Sequence, residues 1–273
     1  MPERRALGEA AERSLLAEFA ADPAIVGALL LGSYARGEAH EYSDVDFERY
    51  VPELPDASAD RYTLCVRDGR LVSITTTTVA AKRAELAQPE LAIFSVPGLR
   101  QARVLLDPTG AIAALLDEAR DFTWHQVAAA AERYASELVM GLAEEVHKLL
   151  HGVASADESA LVNARLGLLL GVTRAVAVGR GMLIGSENVY YAVVEQGMRL
   201  DSTWTRCHRL VAGLDALPDR AGTPAAVTRA LAALRLYEET ATALRPMLRA
   251  EHLEVIEHTL AAIRRVRSAH DGL

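Results

Sequence analysis

The chain has 273 residues, enough for one large domain or two ordinary ones, and 51% of them are hydrophobic. This composition excludes an intrinsically disordered protein, which would lack the apolar residues needed to offset conformational entropy. The net charge of −8 argues against a surface that coats nucleic acid, because such surfaces are basic and clustered. Two cysteines, Cys65 and Cys207, are too few for a disulfide framework or a four-cysteine zinc site. Reduced thiols favour a cytoplasmic protein. No apolar run reaches the roughly 18 residues that span a membrane.

A helical pattern and then a series of strand patterns occupy roughly the first hundred residues. Apolar positions at helical spacing predict an amphipathic helix from about residue 6 to residue 21. The continuous apolar run 25–31, between Pro23 and Gly32, is typical of a strand that is buried on both faces. Four further strands are predicted, at 43–51, 61–66, 71–78 and 103–106. The tight turn Asp68-Gly69 joins the strand 61–66 to the strand 71–78.

The pattern changes after the turn-forming cluster at residues 107–110. Strand signals stop there, and long helical patterns follow at about 109–118, 124–152, 157–180, 187–199, 223–247 and 250–268. A strand-rich start followed by helices predicts an α+β fold, in which a mixed-sheet domain precedes an all-α helical bundle. We place the boundary so that residues 1–108 form the first domain and residues 109–273 the second.

One group of residues combines phosphate and metal chemistry. Gly32 and Ser33 follow the buried strand directly, where a glycine lets the backbone approach a phosphate and a serine hydroxyl can bind its oxygens. Asp44 and Asp46 lie on the next strand two residues apart, so their side chains point to the same face. Two carboxylates on one face can bind one or two hard cations such as Mg²⁺. This group predicts a site for a phosphate and magnesium.

One motif in the chain resembles the signature of the DNA polymerase β-type nucleotidyltransferase superfamily. It consists of Gly32-Ser33, then ten residues, then Asp44-Val45-Asp46. The resemblance implies that Gly32 and Ser33 hold the triphosphate of ATP or another nucleoside triphosphate. It also implies that Asp44 and Asp46 bind two Mg²⁺ ions. Arg36 is a candidate phosphate contact, although a solvent-facing position on a short helix explains it equally well.

Within this superfamily the chain resembles small bacterial enzymes that modify antibiotics, the lincosamide and aminoglycoside nucleotidyltransferases. The similar segments include Tyr42-Ser43-Asp44, residues 106–110 and Leu236-Tyr237-Glu238. The resemblance implies an antibiotic-resistance enzyme that transfers AMP from ATP to a hydroxyl of a small molecule and releases pyrophosphate. A homodimer is left open, and neither nucleic acid nor membrane is expected as a partner.

The sequence departs from the superfamily pattern at one position. A third carboxylate is expected on a neighbouring strand, but residues 71–75 read Leu-Val-Ser-Ile-Thr and contain no acid. Glu48 shares the face of Asp44 and Asp46 by strand alternation, so it is a candidate third metal ligand. The missing acid also motivates an alternative, a catalytically inactive nucleotidyltransferase fold that binds a nucleotide or a protein partner.

The general base that deprotonates the acceptor hydroxyl has two candidate positions. Glu85 lies just beyond the strand predicted at 71–78, where the lincosamide type has a glutamate that is proposed as base. Glu144 or Glu145, on the first long helix of the second domain, is similar to the kanamycin type, in which the helical domain of a partner subunit supplies the base. A further alternative keeps the chemistry and changes the acceptor, so that the enzyme adenylylates a protein.

Overall fold

A computed structural model of the chain describes residues 2–54, 61–218 and 223–270. It divides into two compact units. The first comprises Met1–Gln126 and Leu183–Glu187, and the second comprises Val127–Met182 and Asn188–Leu273.

The first unit contains a five-stranded mixed sheet with the strand order β3-β4-β2-β1-β5. β2 and β4 run parallel, and the other neighbouring pairs are antiparallel. The strands are β1 (Gly27–Leu31), β2 (Val45–Tyr50), β3 (Tyr62–Arg67), β4 (Arg70–Thr77) and β5 (Arg103–Leu106). All five agree with the predicted strands to within a few residues, and the predicted mixed sheet is confirmed.

Five helices accompany this sheet: α1 (Pro2–Ala21), α2 (Gly32–Arg36), α3 (Val79–Leu86), α4 (Pro89–Gln101) and α5 (Ala111–Asp121). α1 covers one face of the sheet, where Leu15 and Phe19 pack into a buried cluster with Phe47 of β2. The opposite face carries Asp46 and Glu48, because side chains alternate along β2. The helices α3 and α4 are findings of the structure, since the sequence patterns predicted neither of them.

The first unit extends beyond the boundary predicted at residues 108 and 109. α5 packs against β1 so closely that a Cβ on Gly27 would lie 2.5 Å from Cγ1 of Ile112. The segment Leu183–Glu187, which the sequence places among the helices, also belongs here. Ile184 is buried, and its backbone N–H donates to the carbonyl of Ile93 at 2.7 Å. Tertiary packing of α5 and of this segment therefore places the division after Gln126.

The second unit is helical, as predicted. Its helices are α6 (Ala128–Gly141), α7 (Ala143–Ser155), α8 (Glu158–Gly179), α9 (Tyr190–Gly197), α10 (Thr203–Ala212), α11 (Ala225–Ala243) and α12 (Ala250–His270). The helix predicted at 124–152 is divided at Leu142, just after Gly141, a poor helix former. The helix α10 was not among the predicted helices.

The central helix of the second unit is α8, which packs against α6, α7 and α11. Its length and apolar composition would suffice to cross a membrane, but 56% of its most apolar 18-residue window is buried among the other helices. Contacts of this kind identify α8 as a core helix, and they explain its nearly uniform apolar sequence.

A buried histidine gives the second unit a predicted dependence on pH. Nδ1 of His208 lies 2.8 Å from Oε1 of Glu195, and its ring stacks on Trp204 with centroids 4.8 Å apart. Burial lowers the pKa of His208 below its ordinary value, although the carboxylate of Glu195 opposes this effect. The folded protein therefore favours the neutral ring, whereas the unfolded chain takes up a proton near pH 6.5.

Acidification should accordingly destabilise the protein. The contribution of His208 to the unfolding free energy is fully present above about pH 6.5 and is lost as the pH falls towards the lowered pKa of the folded state. We expect the thermal midpoint of the native protein to fall more between about pH 7.5 and pH 5.5 than that of a His208→Gln variant. Equal falls in the two proteins would contradict this assignment.

Candidate active site

The turn after β1 brings the backbone against a carboxylate. Gly32 has a positive φ of 63°, a conformation that L side chains rarely adopt. A Cβ at this position would lie 2.2 Å from Oδ2 of Asp46, which is far inside van der Waals contact. Leu31 pairs with Asp46 across the antiparallel strands β1 and β2, and this register sets the close approach. Only glycine fits here, so the turn and the carboxylate form one site.

Asp44 and Asp46 bring two carboxylates close together at the start of β2. Both residues are half-buried, and Asp44 directly precedes the strand. Burial raises the pKa of Asp46, the hydrogen bond from Ser73 opposes this, and the negative charge of Asp44 raises it further. The positive charge of Arg36 acts in the opposite direction. Two crowded carboxylates of this kind favour a bound cation, which would relieve their repulsion.

Ser73 occupies the position next to Asp46 on the neighbouring strand. The two residues are register partners in the parallel pair of β2 and β4. The Ser73 hydroxyl donates to Oδ1 of Asp46 at 2.6 Å. No group of three or more His, Cys, Asp or Glu side chains that could hold a metal occurs in the described part of the chain. The site therefore contains two carboxylates and a hydroxyl.

Glu48, predicted as a third metal ligand, is already paired within the protein. Its side chain is buried, with a relative exposure of 3%. Oε1 accepts a hydrogen bond from the Tyr50 hydroxyl, and Oε2 lies 2.7 Å from Nζ of Lys82. Burial opposes the charge of Lys82, but Glu48 and Glu85 outweigh it and raise the pKa of the lysine. These contacts favour Lys82, not a metal ion, as the partner of Glu48.

Glu85 on α3 is held at one oxygen and open at the other. Its Oε2 accepts from Nζ of Lys82 at 2.9 Å and from the Ser95 hydroxyl at 2.6 Å. Within the described residues, Oε1 has no hydrogen-bonding partner, and the side chain is 28% exposed. A carboxylate that is fixed at one oxygen and accessible at the other has the form of a general base.

Comparisons with known proteins agree with this geometry. Residues 13–75 match the family described as the nucleotidyltransferase domain. This match supports the resemblance to the DNA polymerase β-type nucleotidyltransferase superfamily. A nucleotidyltransferase-like protein from Exiguobacterium sibiricum has a similar fold, with a TM-score of 0.51 and 14% sequence identity. The similarity covers 92% of this chain and 80% of that one, and it concerns the fold alone. Among proteins of curated function, none matches the sequence.

Within the nucleotidyltransferase domain, Ser33 and Arg36 lie on the short helix α2 beside Gly32. In the described part of the chain the Ser33 hydroxyl has no hydrogen-bonding partner, so it is available to a ligand. Arg36 forms an ion pair with Glu38 at 2.7 Å, and its Nη1 lies 3.4 Å from the carbonyl oxygen of Gly185. Arg36 thus has a structural role at the segment Leu183–Glu187, and its contact with phosphate stays a prediction.

The alternative bases Glu144 and Glu145 lie in the second unit, in the first turn of α7. Oε1 of Glu145 is 2.5 Å from Nζ of Lys148. Glu144 is exposed and lines an open groove of about 870 Å³ together with His147 and Asn163. Both glutamates remain candidates for the base.

Some of these contacts had a signal in the sequence. Lys82 and Glu85 are three residues apart, the spacing of ion pairs on a helix, and this pair could have been found. Ser95 had no such signal, because its contact with Glu85 depends on the packing of α3 against α4.

Proposed function

We propose that this chain transfers a nucleoside monophosphate, AMP from ATP, to a hydroxyl of a small antibiotic-like molecule and releases pyrophosphate. Nucleotidyl transfer itself is the chemistry that the nucleotidyltransferase domain supports. The observation that carries the proposal is the contact between Gly32 and Asp46, beside Asp44. It supports a phosphate site at this turn, because the turn lies against the carboxylate of Asp46 and the charge of Asp44 acts on the same carboxylate.

The donor set suits a divalent cation. Asp44 and Asp46 supply carboxylate oxygens, the ligands that Mg²⁺ prefers, and the nucleotide would add phosphate oxygens. When bound, Mg²⁺ would neutralise charge on the triphosphate and help to align the α-phosphate for in-line attack. Ser33 has a free hydroxyl beside Gly32, which suits it to donate a hydrogen bond to a phosphate oxygen.

Glu85 is the best supported of the three candidate bases. Lys82 and Ser95 hold Oε2, which fixes the direction of the carboxylate and leaves Oε1 to accept the proton of the acceptor hydroxyl. We assign Lys82 and Ser95 as positioning residues for this base.

Removing Lys82 tests the importance of this buried network for the fold. A Lys82→Met variant leaves the carboxylates of Glu48 and Glu85 without their counter-charge. We expect the unfolding free energy to fall by about 3–5 kcal/mol, measured by denaturant titration. The matched control is Arg83→Met on the same helix, which removes only an exposed pair with Glu118 and should cost about 1 kcal/mol or less. Equal losses in the two variants would contradict the network.

Labelled ATP tests the proposed reaction and its alternatives. ATP labelled at the α-phosphate would be incubated with the protein, Mg²⁺ and a panel of hydroxylated antibiotics, and in parallel with lysate proteins. The proposal expects label on a small molecule and release of unlabelled pyrophosphate. Label on a protein instead would favour protein adenylylation. Tight ATP binding with no transfer to either class would favour an inactive fold, for which the hydroxyl of Ser73 in the place of an acid is the motivating observation.

A further inference from the structure

We propose that this site binds one divalent cation per bound nucleotide, not the two predicted from the sequence, and that Ser73 sets this number. The inference rests on the proposed function, since it concerns the same site and the same cofactor. Three features of the described residues support it: the partner of Asp46, the pairing of Glu48, and the charge balance of the site.

Ser73 fills the place from which a third ligand would reach the cation. It is the register partner of Asp46 on β4, and its hydroxyl donates to Oδ1 of Asp46 at 2.6 Å. A hydroxyl is a neutral group, and here its proton is directed at the carboxylate. Ser73 therefore adds no negative charge, and it reduces the lone pairs that Asp46 can offer to metals. The second oxygen of Asp46 faces the backbone of Gly32.

Glu48 does not replace the missing acid. Although it lies on the same face of β2, Oε1 accepts from Tyr50 and Oε2 is paired with Lys82. Both carboxylate oxygens of Glu48 therefore already have partners, and the side chain is only 4% exposed. A cation at this carboxylate would have to displace the buried ammonium group of Lys82, which would keep its ion pair with Glu85 but lose the one with Glu48.

The carboxylates that the protein supplies at the site balance the charge of one dication, not of two. Mg²⁺ takes six oxygen ligands, and in proteins it is bound through one or two carboxylates together with phosphates and water. Paired catalytic ions lie about 3.5–4 Å apart, and their mutual repulsion requires several carboxylates around them. Among the described residues, no further His, Cys, Asp or Glu side chain completes a metal-binding group of three with Asp44 and Asp46. Two carboxylates with phosphate oxygens complete one coordination sphere.

Counting bound ions tests the inference without any acceptor. The full-length protein would be dialysed to equilibrium against Mn²⁺ and the non-hydrolysable analogue α,β-methylene ATP, and retained manganese and nucleotide would be measured by elemental analysis and absorbance. We expect one Mn²⁺ for each retained nucleotide. A Ser73→Asp variant supplies the missing charge opposite Asp46 and is expected to retain two. The uncharged control Ser73→Asn, of similar size to the first variant, should retain one.

The possible results distinguish an error in the number of bound ions from an error in the proposed function. Two Mn²⁺ ions per nucleotide in the native protein would overturn the inference while leaving the proposed function intact. A folded Ser73→Asp variant that retains one ion would overturn the role assigned to Ser73. No retained nucleotide in the native protein would contradict the proposed function itself. If thermal unfolding shows that Ser73→Asp is not folded, the counts for the native protein and for Ser73→Asn still decide the number of ions.

Discussion

Replacing Asp44 and Asp46 together by asparagine is expected to abolish Mg²⁺-dependent binding of ATP and to slow nucleotidyl transfer by about 10³-fold or more. The two carboxylates are the proposed protein ligands of the cation, and a bound cation stabilises charge in the transition state by several kcal/mol. Calorimetry with α,β-methylene ATP, with and without Mg²⁺, measures the binding. Labelled ATP measures the transfer.

The melting temperature distinguishes lost function from lost fold. Burial raises the pKa of Asp46 and the charge of Asp44 raises it further, so the ionised pair costs stability when no cation is bound. The asparagine variant should therefore melt no lower than the native protein. As a control of equal charge change, Asp117→Asn combined with Asp121→Asn alters two exposed residues of α5. Unchanged ATP binding in the Asp44 and Asp46 variant would refute the site.

A Gly32→Ala substitution is expected to weaken nucleotide binding by about 10²-fold or more, although it adds a single methyl group. That methyl carbon would lie 2.2 Å from Oδ2 of Asp46, so the carboxylate or the turn must move by more than an ångström. Displacements of about 1 Å in a catalytic site reduce reaction rates and affinities by about 10²-fold. Calorimetry with the same ATP analogue measures the effect.

Gly37, at the C-terminal end of α2, provides a matched control. Its φ of 74° is as unfavourable for alanine as that of Gly32, and a Cβ added there would meet nothing within 4 Å. Both alanine variants should therefore lose about 1–2 kcal/mol of stability from backbone strain. Only Gly32→Ala should lose nucleotide binding as well. Equal nucleotide affinities in the two variants would show that contact with Asp46 is unimportant.

The sheet and the core of the site could be predicted from local sequence. The apolar run before Gly32 and the two-residue spacing of Asp44 and Asp46 are short-range signals, and each depends on strand periodicity alone. The absence of an acid at Ser73 was also visible in the sequence. Its hydrogen bond to Asp46 needed the register of β2 against β4, which the sequence does not reveal.

The surroundings of Glu48 and Glu85 depend on packing that local patterns do not report. α4 contains Pro97 and Gly98 within its last turns, and such residues argue against a helix when only the sequence is read. Without α4 there was no reason to place Ser95 beside Glu85. The prediction of Glu48 as a metal ligand rested on strand alternation, which gives the correct face but not the partner, Lys82.

The segment Leu183–Glu187 shows the same limit for domain boundaries. It is short and lies between two helical regions, so the sequence assigned it to the helical domain. Its membership of the first unit results from the burial of Ile184 and from the contact of Gly185 with Arg36, both of which join residues far apart in the chain. Contacts of such high sequence separation have no periodic signature.

A crystal structure of the protein with α,β-methylene ATP and Mn²⁺ tests the central claim most directly. We expect the triphosphate to lie beside Gly32 and Ser33, and an anomalous manganese peak to contact the carboxylates of Asp44 and Asp46. A nucleotide bound elsewhere, or a manganese peak that does not contact either aspartate, would contradict the assignment of this site.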